Sequence, residues 1–158
     1  MAVRTDRKYA RLRQINSRGV GVAIINKNRV LILKRNPLLL IALNRGIWAF
    51  VFGGAKPGER FIDAAYREAE EETGIGRDTL TPLYHMKDAR MYDAVRKNAQ
   101  WKNDFFIFRS KTDRVRINWE HTGYRWASLA EIEKGENYTS AFIDNAKIIR
   151  ALKAHLKS

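Results

Sequence analysis

The chain has 158 residues, 45% of them hydrophobic, and no cysteine, which fits one domain with its own core and excludes disulfides, thiolate nucleophiles and cysteine zinc sites. Thirty lysines and arginines against 17 acidic residues give a net charge of +13, a balance that favours polyanionic partners such as nucleotides, polyphosphate or nucleic acid. The N-terminus lacks the apolar stretch of a secretory signal, and the apolar run from Leu38 to Leu43 is too short to cross a bilayer, so the reading is a cytoplasmic protein with no membrane partner.

Residues 1–17 carry Arg4, Arg7, Lys8, Arg11 and Arg13 against Asp6 alone and read as a basic, partly helical N-terminal arm ahead of a single domain at 18–158. Gly19 to Ile25 and Val30 to Leu33 are β-branched runs separated by Asn26-Lys27-Asn28-Arg29, the pattern of a hairpin. Leu38 to Arg45 reads as a loop or helical turn, and Ile47 to Phe52 as a central strand apolar on both faces. A glycine-rich loop, Gly53 to Gly58, leads into a helix from about Arg60 to Thr73 that Gly74 stops. Leu80 to Met86 and Phe105 to Phe108 read as strands, and the basic segment Lys87 to Lys102 as a long loop. After a turn at Glu120 to Gly123 comes a strand at Tyr124 to Ala127. Ser128 and Glu131 have capping-box spacing, and Ser140 to Leu156 has helical periodicity. Strands interleaved with helices predict an α/β sandwich with a mixed sheet between helices.

The glutamate-rich helix breaks a local rule. Glu68, Glu70, Glu71 and Glu72 crowd its C-terminal end, where the helix dipole disfavours negative charge by about 0.3–1 kcal/mol each. Glu68, Glu71 and Glu72 stand at i, i+3 and i+4 and share a face, beside a less polar stripe of Ile62, Ala65, Tyr66, Ala69 and Thr73. Three carboxylates on one face form a hard-oxygen site suited to Mg2+ or Mn2+. The alternative is a solvated acidic face paired with lysines. The loop in front favours the metal site, since Gly53, Gly54 and Gly58 let backbone approach a ligand closely. Arg67 is placed to brace a carboxylate with a bidentate pair.

Gly53, then Glu59, then Arg67-Glu68-Ala69-Glu70-Glu71-Glu72-Thr73-Gly74-Ile75 resembles the Nudix box, G-x5-E-x7-R-E-U-x-E-E-x-G-U with U a bulky aliphatic residue. Every fixed position matches. Ala69 is small for its place, Lys56 stands where many members carry an acid, and Phe52 replaces a common proline. The resemblance implies a Nudix-like α/β/α fold and a hydrolase, a pyrophosphatase cleaving a phosphoanhydride bond in a nucleoside diphosphate-linked compound such as a nucleoside triphosphate or dinucleoside polyphosphate. It implies Glu71 and Glu72 as principal metal ligands, Glu68 as ligand or partner of the base, and Glu120 as a further ligand or the base. The Gly53 or Gly54 carbonyl completes the shell in that reading, and Glu59 and Arg67 hold each other and the loop. Lys34, Arg35, Lys56, Arg90 and Tyr124 are candidate substrate contacts. Two other readings are carried: an RNA 5′-end pyrophosphohydrolase of the decapping type, supported by the basic arm and by Tyr92 and Trp101 among cations, and a non-catalytic nucleotide-binding module. The histidines, His85, His121 and His155, show no metal-ligand spacing.

Overall fold

The computed structural model describes residues 13–36, 38, 48–92, 99–134 and 145–156. Strand β1 (Arg13–Asn26) turns at Lys27-Asn28 into β2 (Arg29–Arg35). The turn is tight enough to put Lys27 at φ 53°. β3 (Trp48–Ala49) and β4 (Val51–Gly54) precede helix α1 (Phe61–Thr73). β5 (Leu80–Tyr92), β6 (Ala99–Ser110) and β7 (His121–Ala127) follow, then α2 (Leu129–Lys134) and α3 (Asn145–Leu156). None of the described helices is long and apolar enough to cross a membrane.

These strands form one mixed sheet. β1 lies at its centre. One edge pairs in parallel with β6, with an irregularity between Asn16 and Val20, and the other pairs antiparallel with β4 and, at the hairpin, with β2. β2 carries β7 and β3, and β5 closes the far side on β6. Side chains alternate across a strand, so one sheet builds two cores. Val20, Val22, Ile24, Leu31, Leu33, Phe106 and Phe108 pack under Ala64, Ala65, Tyr66 and Ala69 of α1. Ala23, Ile25, Val30, Ile32, Phe105 and Ile107 pack under Ile132 of α2 and Ile148, Ala151, Leu152 and Leu156 of α3. The result is the α/β/α sandwich that the sequence pattern implied.

Local signals place the helix ends. Gly74 takes φ 71°, a left-handed cap unfavourable for side-chain-bearing residues, and its N–H donates to the Glu70 carbonyl at 2.9 Å. At α2 the capping box forms in both directions: the Ser128 N–H donates to Glu131 Oε2 at 2.8 Å, and the Glu131 N–H to Ser128 Oγ at 3.3 Å.

Four expectations change. The turn expected at Glu120 to Gly123 is already strand from His121, where backbone pairing with β2 reaches back to Arg35. The single central strand at 47–52 is two short strands, because the chain leaves β2 after Ala49 and joins β1 from Val51. The long loop at 87–102 is largely sheet: β5 runs to Tyr92 and β6 begins at Ala99, their pairing carried through a bulge between Met86 and Ala89. Backbone pairing with a neighbour, rather than apolar content, extends both strands there. Residues 13–17, read as part of a partly helical arm, are strand, paired with β6. Residues 1–12, the segment 39–45 and the expected helix start at 140–144 lie outside the described residues.

Candidate active site

The glycine-rich loop folds over α1 because a single guanidinium ties the two together. Arg67 grips Glu59 with both arms, Nε to Oε2 at 3.0 Å and Nη2 to Oε1 at 2.9 Å. Nη2 also donates to the Gly54 carbonyl at 2.8 Å, and Nη1 reaches Glu68 at 2.8 Å and both Glu71 oxygens at 3.3 Å. The Arg67 hydrogen bond, reinforced by the Lys56 backbone N–H, holds the Glu59 carboxyl down at about 2.

Gly53 has a different task. A Cβ built on it would collide with the Glu68 carboxylate, so the missing side chain is what lets that carboxylate lie against the loop. Gly54 has open space where its Cβ would stand.

Glu72 is the most constrained of the acids. It is 1% exposed, its Oε2 accepts the Phe52 N–H at 3.4 Å, and its Oε1 has no hydrogen-bond partner. Burial, then the negative charges of Glu120 and Glu68, push its carboxyl up to about 9, against the Phe52 N–H and Arg35. Glu68 is also raised, chiefly by burial and despite Arg67, with Glu71 and Glu120 adding repulsion. Glu120, in the turn before β7, thus shares one electrostatic neighbourhood with Glu68 and Glu72, although 48 positions separate it from Glu72. Its carbonyl is pinned by the Asn36 N–H at 2.9 Å.

Glu68, Glu71 and Glu120 line a cleft of about 490 Å3 with Gly53, Gly54 and Arg35. Behind it, the β2–β7 register sets Arg35 opposite His121. Arg35 Nε and His121 Nδ1 are buried without hydrogen-bond partners, and burial together with Arg35 lowers His121 to about 4, so it is neutral near pH 7.

Among the described residues no three acidic or histidine side chains converge closely enough, as they stand, to hold one ion. Arg67 takes up that charge, bridging Glu68 and Glu71. The donor set nevertheless fits a hard divalent cation: an orphaned carboxylate oxygen on Glu72, and carboxylates that raise one another's proton affinity.

Of the candidate substrate contacts, Arg35 lines the cleft, whereas Lys34, Lys56, Arg90 and Tyr124 lie outside its lining. Lys56 meets Glu59 through its backbone N–H rather than its ammonium group, at 2.9 Å. The sequence reading missed Arg18, which lines the cleft and donates to the carbonyls of Lys56 at 3.1 Å and Glu59 at 2.7 Å. Its position immediately before the apolar run at Gly19 was the available signal.

A family model described as NUDIX domain matches residues 16–152. An RNA pyrophosphohydrolase of Photorhabdus laumondii is 27% identical over 124 residues, 69% of this chain and 67% of that protein. The asymmetrical bis(5′-nucleosyl)-tetraphosphatase of Mus musculus is 32% identical over 95 residues, 59% of this chain and 65% of that protein. Matches to the curated relatives span from 31% to 67% of their lengths. The solved structure of a C. elegans Ap4A hydrolase binary complex superposes with a TM-score of 0.68 at 22% identity, over 89% of this chain and 98% of that one, a likeness of fold.

Proposed function

We propose that this chain, which belongs to the Nudix family, is a hydrolase of phosphoanhydride bonds acting on a small nucleoside diphosphate-linked substrate, a nucleoside triphosphate or a dinucleoside polyphosphate. The observation that carries the reading is the buried, unpartnered Oε1 of Glu72 within the field of Glu68 and Glu120, beside a cleft walled by arginine. Family members generally use divalent metal ions. Glu68, Glu71, Glu72 and Glu120 would hold Mg2+ or Mn2+, which would supply charge neutralisation on phosphoryl oxygens and activation of the attacking water.

The rest is the work of the chain. Arg35 and Arg18 present positive charge to a phosphate chain in the cleft. Glu59 and Arg67 fix the loop against α1, so that Gly53 lies against the Glu68 carboxylate and the Gly54 carbonyl is held by Arg67. His121 is buried and neutral near pH 7, so it adds no charge beside Glu120.

The test is a panel of nucleoside di- and triphosphates, dinucleoside polyphosphates and nucleotide sugars with Mg2+ or Mn2+, read by product analysis. Turnover that vanishes with chelator is expected. No turnover of any member with either ion would overturn the reading. A second reading, hydrolysis at an RNA 5′ end, is favoured by the name of the Photorhabdus relative and by the net charge of +13.

A further inference from the structure

A second cleft, of about 480 Å3, lies between the first turn of α1 and strands β5 and β6. Phe61 and Ile62 form one side, His85 and Phe106 the other, with Asp104 at its base. The His85 ring lies flat on Phe106, centroids 4.3 Å apart and planes 6° from parallel. Its Nε2 meets Asp104 Oδ2 at 2.6 Å. Asp104 is buried, and its Oδ1 accepts the N–H of Asp88 at 3.4 Å. Asp88 sits at φ 56° in the β5 bulge, a conformation costly for a residue with a side chain.

That arrangement holds an imidazole rigidly while leaving it 46% exposed at the cleft. Nε2 faces Asp104, so the opposite edge of the ring, with Nδ1, is turned away from that contact. One flat face rests on Phe106, and the ring edge carries a polar atom. The volume is that of a small-ligand site. Phosphate does not suit it: the walls are largely apolar, and Arg60, at its rim, is forked onto Asp63 at 2.8 and 3.2 Å. A planar heterocycle suits it, because an aromatic face stacks on any flat ring.

The two clefts share a wall. The Arg18 guanidinium, which lines the carboxylate cleft, lies over the Phe61 ring at 5.2 Å, and Phe61 lines the second. We infer that the His85–Phe61 cleft binds a nucleobase, the distal one of a substrate whose phosphate chain passes Arg18 from the carboxylate cleft. This rests on the function proposed above insofar as the first cleft takes phosphates. The distal base belongs either to a dinucleoside polyphosphate or to the second nucleotide of an RNA 5′ end.

The full chain and its His85→Ala variant are compared on adenosine 5′-tetraphosphate, which has one base, on diadenosine tetraphosphate, and on a 5′-triphosphorylated dinucleotide. The expected result is a rise of about tenfold in KM on a two-base substrate, with kcat unchanged and one-base kinetics unaltered. His85→Phe, which keeps the flat ring, recovers most of the affinity. Whichever two-base substrate responds identifies the source of the base. Equal effects on one- and two-base substrates, or none on either, overturn the inference while the proposed hydrolysis stands. A binding arm is independent of turnover: adenosine titrated into the wild-type chain should shift the His85 ring resonances in NMR, and Phe61→Ala should abolish the shift. If the wild type hydrolyses none of the substrates, the function proposed above falls and this titration alone decides, an unmoved His85 overturning the second site.

Discussion

The carboxylate of Glu68 lies where a side chain on Gly53 would have to be. Gly53→Ala therefore drives that carboxylate out of place, and a displacement on the order of 1 Å at a reacting centre costs about a hundredfold in rate. Gly54→Ala meets nothing within 4 Å and leaves the carbonyl that Arg67 uses in place, so it should retain near wild-type turnover. Steady-state kinetics on the two variants, with circular dichroism to confirm the fold, checks the contrast; equal losses would refute it. Adjacent glycines of one loop were indistinguishable in the sequence, because what separates them is a carboxylate fifteen positions away from Gly53. Glu72 gives a second contrast. In the folded chain without an ion its carboxyl is raised to about 9, whereas in the unfolded chain it ionises near 4.5. The unfolded state thus holds fewer protons across that window, and stability is lost as pH rises through it. Glu72→Gln replaces the acid with a neutral group of similar shape. In chelator its melting temperature should exceed that of the wild type by a margin that grows from pH 4.5 towards pH 9, while its turnover is abolished. A margin independent of pH would refute the raised carboxyl, and retained turnover would remove Glu72 from the metal-binding role.

At the level of elements, the loop Gly53 to Gly58 and helix α1 behave as one unit because Arg67 reaches both. A lysine would keep the charge but lose the planar fork that engages both Glu59 oxygens, so Arg67→Lys is not a conservative change here. We expect a lowered midpoint in urea unfolding, modest because the pair is largely solvated, together with a fall in kcat as the loop loosens. Unchanged kcat with reduced stability would confine Arg67 to folding. The sequence was most legible in this unit, whose signals are local: fixed spacing, a glycine stop, and like charges crowded where a helix disfavours them. It was least legible where pairing between distant segments decides. Trp48 and Val51 read as one strand, yet they bond to β2 and β1 respectively. Likewise Arg90 and Lys102 are polar enough to read as loop, yet they sit opposite each other in the β5–β6 ladder. The convergence of Glu120 on Glu72 is of the same kind, made by the β2–β7 pairing and the Asn36 contact rather than by spacing.

For the whole molecule, the net charge of +13 contrasts with a site built of carboxylates. The positive field speeds the approach of any polyanion, but it does not discriminate a mononucleotide from a long strand. Salt does. A small nucleotide engages few cations, Arg18 and Arg35 being those that line the cleft, so its kcat/KM should fall by less than about tenfold between 50 and 200 mM salt. An RNA 5′ end lying along the basic surface and touching six or more phosphates would release as many counterions, and its kcat/KM should fall on the order of a thousandfold over the same range. Parallel measurements on a dinucleoside polyphosphate and a 5′-triphosphorylated oligonucleotide, at constant free Mg2+, separate the two. The proposed small-nucleotide activity requires the shallow dependence and the larger kcat/KM at the upper salt concentration to belong to the same substrate, the dinucleoside polyphosphate. If the oligonucleotide remains the better substrate there, the net charge acts in substrate selection rather than in encounter alone, and the RNA-end reading takes its place.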